Sequence, residues 1–179
     1  MPTYIAFLRA VNVGNRWVKM ELLRNHLGAN GFAEVATHIQ SGNVRVTTPL
    51  RSSAKVERTL HDVISDEFGF DVPTIVRTPA ELRTIAERAD AIDSPLSDGA
   101  RRYVIFMSGD VSPAGIDALH AWDAPGEAAR VLGREVVLFL DTTFHTAKLT
   151  NARIEKLTGC VGTARDIKVV RALAEKWGD

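Results

Sequence analysis

The sequence predicts an α+β protein made of two ferredoxin-like βαββαβ units, the alpha-beta plait, the second of them irregular and carrying extra C-terminal helices. Three observations support this. From residue 3 to residue 77 apolar runs and helical periodicities follow one another as strand, helix, strand, strand, helix, strand. The stretch Asp93 to Ala100, with its proline, serine and glycine, then interrupts the pattern. After it Tyr103-Val104-Ile105-Phe106-Met107 repeats the order Tyr, apolar, apolar, Phe, apolar of Tyr4-Ile5-Ala6-Phe7-Leu8. An old duplication explains the echo; so does the general likeness of any two buried strands.

Residues 3 to 11 are apolar at nearly every position and rich in β-branched and aromatic types, as a strand covered on both faces requires. Met20, Leu22, Leu23 and Leu27 have helical spacing, and Gly31 stops the helix. Residues 33 to 39 and 43 to 48 are extended and joined by Gln40-Ser41-Gly42, a hairpin connection. Val56, Leu60, Val63, Ile64 and Phe68 then share one face of a helix running from about Ser52 to Phe68. Asp71 to Arg77 reads as a strand with Pro73 near its start, where a missing N–H is tolerated.

A helix over 79 to 89 follows, with Pro79 in its first turn and Thr78 as its N-cap. Beyond the linker the order is strand 102 to 107, helix about 113 to 122, strands 128 to 132 and 135 to 140 across Gly133-Arg134, and helices about 147 to 158 and 167 to 177. Thr163-Ala164-Arg165 is read as extended between them. The expected division is 1–92 for the first unit and 93–179 for the second.

A chain of 179 residues buries on the order of 70% of its unfolded surface, so neither metal nor disulfide is needed to hold it. Lysine plus arginine equals aspartate plus glutamate at 22 each, leaving no broad field for nucleic acid or an anionic membrane. The single Cys160 fits a reducing compartment, and Met1-Pro2-Thr3 does not open an export signal. No apolar run nears the roughly 18 residues of a membrane span, so a cytoplasmic location is expected.

Right-handed crossovers put the end of the first strand, the start of the first helix and the turn of the hairpin at one sheet edge. Arg9, Asn12, Gly14, Arg16 and Lys19 on one loop would thus lie beside Gln40, Ser41, Gly42 and Asn43 on the other. A small anion suits such a place, since a helix N-terminus adds about 0.3–1 kcal/mol towards it. The alternative is structural: Arg9 pairs with an internal carboxylate or loop carbonyls, and Asn12, Ser41 and Asn43 hold turns.

Other residues carry weaker signals. His26, His38, His61, His120 and His145 lack metal-ligand spacing, no dinucleotide or Walker pattern occurs, and no cofactor is expected. Cys160 beside Arg165 suits a reactive thiol less well than a small core residue. Lys148, after Asp141 to His145, faces either a cleft or solvent.

Several motifs resemble those of a bacterial family, domain of unknown function 1697. They are Tyr4 to Gly14 with Val18-Lys19-Met20, His38-Ile39-Gln40-Ser41-Gly42-Asn43-Val44, Phe70-Asp71-Val72-Pro73, Lys148-Leu149-Thr150 and Ala164-Arg165. The resemblance implies a duplicated ferredoxin-like fold and recurrent polar positions at Arg9, Asn12, Gly14, Lys19, Gln40, Ser41 and Asn43; it implies no activity. Where the family continues with Asn-Trp-Asn-Thr, this chain has Asp166-Ile167-Lys168-Val169.

The function expected is binding of an anionic, nucleotide-like or phosphorylated small molecule, with Arg9, Asn12, Gly14, Lys19, Gln40, Ser41, Asn43, Lys148 and Arg165 as ligand-binding candidates. No carboxylate pair or histidine-activated nucleophile marks a reaction. A protein-interaction or oligomerisation role, with Trp17 and Trp122 as anchors, is the alternative. RNA binding ranks last, because the third strand lacks the aromatic residues on which bases stack.

Overall fold

The structure, a computed structural model, describes residues 1–179. Its first half runs β1 (Thr3–Leu8), α1 (Met20–Ala29), β2 (Ala33–His38), β3 (Asn43–Thr47), α2 (Ser53–Phe68), β4 (Thr74–Arg77) and α3 (Pro79–Ala91). The second runs β5 (Arg101–Met107), α4 (Pro113–His120), β6 (Glu127–Leu132), β7 (Glu135–Leu140), α5 (Asn151–Thr158), β8 (Gly162–Asp166) and α6 (Ile167–Trp177). Each half holds one four-stranded antiparallel sheet, ordered β2-β3-β1-β4 and β6-β7-β5-β8. The protein is a repeat of two ferredoxin-like units.

Local chemistry sets the boundaries. Ser52 Oγ accepts the N–H of Lys55 to open α2, and Gly69 closes it in the left-handed conformation. Thr78 and Glu81 form a reciprocal capping box before α3: each side chain accepts the other's backbone N–H, at 2.7 and 3.2 Å. The segment expected to be extended at 163 to 165 is the strand β8, so α5 is the second helix of the plait and α6 alone follows it. The helix expected from about 147 begins at Asn151 instead. Glu127 holds the N–H groups of Lys148 and Leu149 at 2.6 and 2.8 Å, and Thr150 caps the helix behind them.

The chain divides into two compact units, Met1–Leu82 with Glu175–Asp179, and Arg83–Ala174. In the first, Tyr4, Ala6, Leu8, Val44, Val46 and Val76 of the sheet pack with Leu23 and Leu27 of α1 and Val56, Leu60 and Ile64 of α2. In the second, Ile105, Met107, Ala129, Val136 and Leu138 pack with Leu119 of α4 and Ile154 of α5. Burial of side chains at such positions contributes about 1.5–3 kcal/mol each relative to exposure. No helix is long and apolar enough to cross a membrane.

The registers of the units coincide. Leu8 donates its backbone N–H to Gly42 at 2.8 Å, and Met107 donates to Arg134 at 3.1 Å; Arg9 donates to Pro73 at 2.9 Å, and Ser108 to Val161 at 2.8 Å. Loop lengths differ. Eleven residues, 9–19, join the first strand and helix of unit one, against five, 108–112, in unit two; four residues, 39–42, join its central hairpin, against two. Unit two is instead longer at the opposite sheet edge, with six residues at 121–126 and ten at 141–150 where unit one has three and five.

Candidate functional site

The Leu8 and Arg9 bonds place the 9–19 loop, the 39–42 hairpin turn and the entry to β4 at one edge of the first sheet. Asn12 then ties two of these together. Its Nδ2 donates to the Gln40 carbonyl at 2.6 Å and to the Val18 carbonyl at 3.1 Å, while its Oδ1 accepts the Val18 N–H at 2.9 Å. The shared rim expected from crossover geometry is therefore present.

Gly14 turns the small hairpin inside this loop, with φ +58° at the first of two turn positions between Val13 and Arg16, which bond to each other and, through Arg16, to Asn12. Arg16 braces the loop from outside. Its Nε donates to the Ala10 carbonyl at 2.8 Å, its terminal nitrogen donates to the Asp71 carbonyl, and its guanidinium lies 4.7 Å from the Phe70 ring centre. Asp71 turns its carboxylate away to His61 Nε2 at 2.6 Å, and His61 Nδ1 meets Asp62 at 2.9 Å. These two carboxylates, Asp71 first, raise the His61 pKa above 6.5 against a lowering by burial.

The remaining candidates divide by exposure. Lys19, immediately before α1, and Gln40 are exposed; Arg9 and Ser41 are half-buried. Asn43 is fully buried, and its amide donates to the His38 carbonyl and Ser41 Oγ, both at 3.0 Å. Asn12, Ser41 and Asn43 thus share in the hydrogen bonds that hold the loops in shape, while Arg9, Lys19 and Gln40 stand at the same edge. Lys148 and Arg165 belong to the second unit. Lys148 is exposed, and Arg165 is buried in β8, donating to Thr163 Oγ1 and the Ala164 carbonyl at 2.8 Å; burial lowers its pKa to about 10, which leaves it charged at neutral pH. Cys160 is half-buried against the second core with Sγ 3.4 Å from the Asp110 carbonyl. The divergent Asp166 caps α6 through the Lys168 N–H at 2.8 Å.

Two features of the rim are not readable from residue types. Ala10 and Ile39 adopt φ of +54° and +50°, which alanine and isoleucine disfavour. Val13, Trp17 and Ile39 expose 53%, 68% and 50% of their surface there, unlike the bulk of the apolar residues. No group of His, Cys, Asp and Glu side chains is placed to hold a metal ion.

The family model described as "Protein of unknown function (DUF1697)" matches residues 1–137. The chain belongs to this family. The match spans every rim residue of unit one, whereas Lys148 and Arg165 lie beyond it. No curated protein matches this DUF1697 chain. Its structure is similar to that of the conserved bacterial protein SP0830 from Streptococcus pneumoniae, with a TM-score of 0.74 and 18% identity over 100% of this chain and 99% of the other. At that identity the likeness establishes the shared fold of this DUF1697 protein.

Proposed function

We propose that the loop rim of the first unit binds a small anionic ligand, nucleotide-like or phosphorylated. The contrast between the two copies carries this reading. The second unit closes the same two connections with five and two residues, so the longer loops of unit one are not a requirement of the fold. They also hold Ala10 and Ile39 in left-handed conformations, each at a cost of about 1–2 kcal/mol, as functional loops often do. Residues 9–19 and 38–43 include Arg9, Arg16, Lys19 and His38 and no aspartate or glutamate. In this reading Arg9 and Lys19 supply charge beside the N-terminus of α1, Gln40 and Ser41 supply polar contacts, and Asn12, Gly14 and Asn43 fix the frame. A thermal-shift screen of anionic metabolites against wild type and Arg9→Ala tests it. A hit that stabilises wild type and is weakened in the variant supports the site; no hit, or equal shifts in both, overturns it.

The exposed Val13, Trp17 and Ile39 favour a second reading, in which this edge meets another protein surface or a second copy of the chain. Light scattering over a concentration series, with Trp17→Ser for comparison, tests self-association: a concentration-dependent mass lost in the variant supports it, and a constant monomer mass excludes it.

A further inference from the structure

The second unit is elaborated at the opposite sheet edge, in the connections 121–126 and 141–150, and a cavity of about 580 Å³ lies beside them. It is lined by Trp122, Thr150, Ala152, Arg153, Lys156 and Leu157. We infer that this cavity is a second binding site, for a small molecule that joins a flat aromatic ring to a carboxylate or phosphate.

The walls select that chemistry. Trp122 is fixed, because its Nε1 donates to Glu127 Oε2 at 3.1 Å and the same buried carboxylate holds the Lys148 and Leu149 N–H groups. The indole is thereby pinned to both elaborated connections. Arg153 lies over it, guanidinium to ring centre 5.4 Å, so one wall offers a π face already paired with a cation. Arg153 and Lys156 stand three residues apart on α5 and therefore share a helix face. Ala152 and Leu157 supply apolar surface, and Thr150 supplies a hydroxyl whose oxygen also accepts the Arg153 N–H at 3.2 Å.

No acidic side chain lines the cavity, and the nearby negative charge of Glu127 is buried and spent on three N–H donors. An anion therefore meets two cations without a competing carboxylate. A ring adds stacking on the indole or on the planar guanidinium, and the volume suits a ligand of small-metabolite size. The equivalent connections of unit one, 30–32 and 48–52, are too short to build such a wall.

Calorimetric titration of the full chain with 2-naphthoate, 2-naphthol and acetate tests the inference. Naphthoate is expected to bind saturably, the neutral ring and the ringless anion each at least about tenfold more weakly. The exposed pair Arg153→Ala/Lys156→Ala is expected to weaken naphthoate at least about tenfold at unchanged Tm, and Arg153→Glu to do so further. Arg153 and Lys156 both belong to the second unit, so loss of naphthoate binding in their double variant reports on this cavity and not on the rim of unit one. Absence of saturable binding, equal affinity for naphthol, or wild-type affinity in the double variant overturns the inference.

Discussion

Arg77 and Arg165 occupy the same place in the two units. Arg77 of β4 stands opposite Ile5 of β1, and Arg165 of β8 stands opposite Val104 of β5, where aligning Tyr4 with Tyr103 puts Ile5 on Val104. Each donates a terminal guanidinium nitrogen to the carbonyl of the residue before it, at 2.8 Å, and each is buried. The neighbouring strands agree: Asn43 opposite Phe7 matches Glu135 opposite Phe106, both buried polar groups. Burying a cation is costly, so its recurrence at one register position is stronger support for duplication than matching apolar residues. Against this shared frame the unequal loops are the parts in which the two units differ.

Gly42 is the tightest point of the first unit's rim. Its φ is +80°, and a Cβ there would lie 2.6 Å from Val11 Cγ2 and 2.8 Å from Leu8 Cβ. Gly42→Ala is expected to cost about 2–4 kcal/mol in urea unfolding through overpacking and strain together. Gly31→Ala, with φ +88° and open space around it, meets the strain alone and is expected to cost about 1–2 kcal/mol.

The pH dependence of stability should carry the His61 signature. Its folded pKa is raised by Asp71 and Asp62, so protonated His61 favours the native state. This contribution is complete below the unfolded value of 6.5 and disappears as pH rises through the folded one. The groups are largely exposed, which holds the effect to about 0.5 kcal/mol. Unfolding free energies of wild type minus His61→Ala, measured from acid to mildly alkaline pH, should fall with rising pH; a flat or rising difference contradicts the assignment.

Glu127 anchors the second unit's long connection through three N–H donors. Glu127→Gln keeps one acceptor and turns an amide towards donors, with an expected loss of about 2–4 kcal/mol. Hydrogen exchange at Lys148 and Leu149 should accelerate in the variant; unchanged protection there contradicts the role given to the carboxylate.

The order of elements is legible in the sequence because apolar periodicity reports which face is buried, and capping residues such as Ser52, Thr78 and Gly69 mark where helices stop. The juxtaposition of Asn12 with Gln40 follows from crossover handedness. What escapes sequence reading is set by distant contacts: Lys148 and Leu149 stay out of α5 because Glu127 claims their N–H groups across 21 and 22 residues. The left-handed Ala10 and Ile39 escape it too, since neither residue type signals positive φ.

The proposed rim is tested most directly by nitrogen-15 chemical-shift mapping of the full chain during titration with adenosine 5′-monophosphate. Saturable shifts at the backbone amides of Asn12, Gly14, Gln40 and Ser41 and at the indole N–H of Trp17 are expected. Shifts confined to residues outside 9–19 and 38–43, or no shifts at all, would contradict the account.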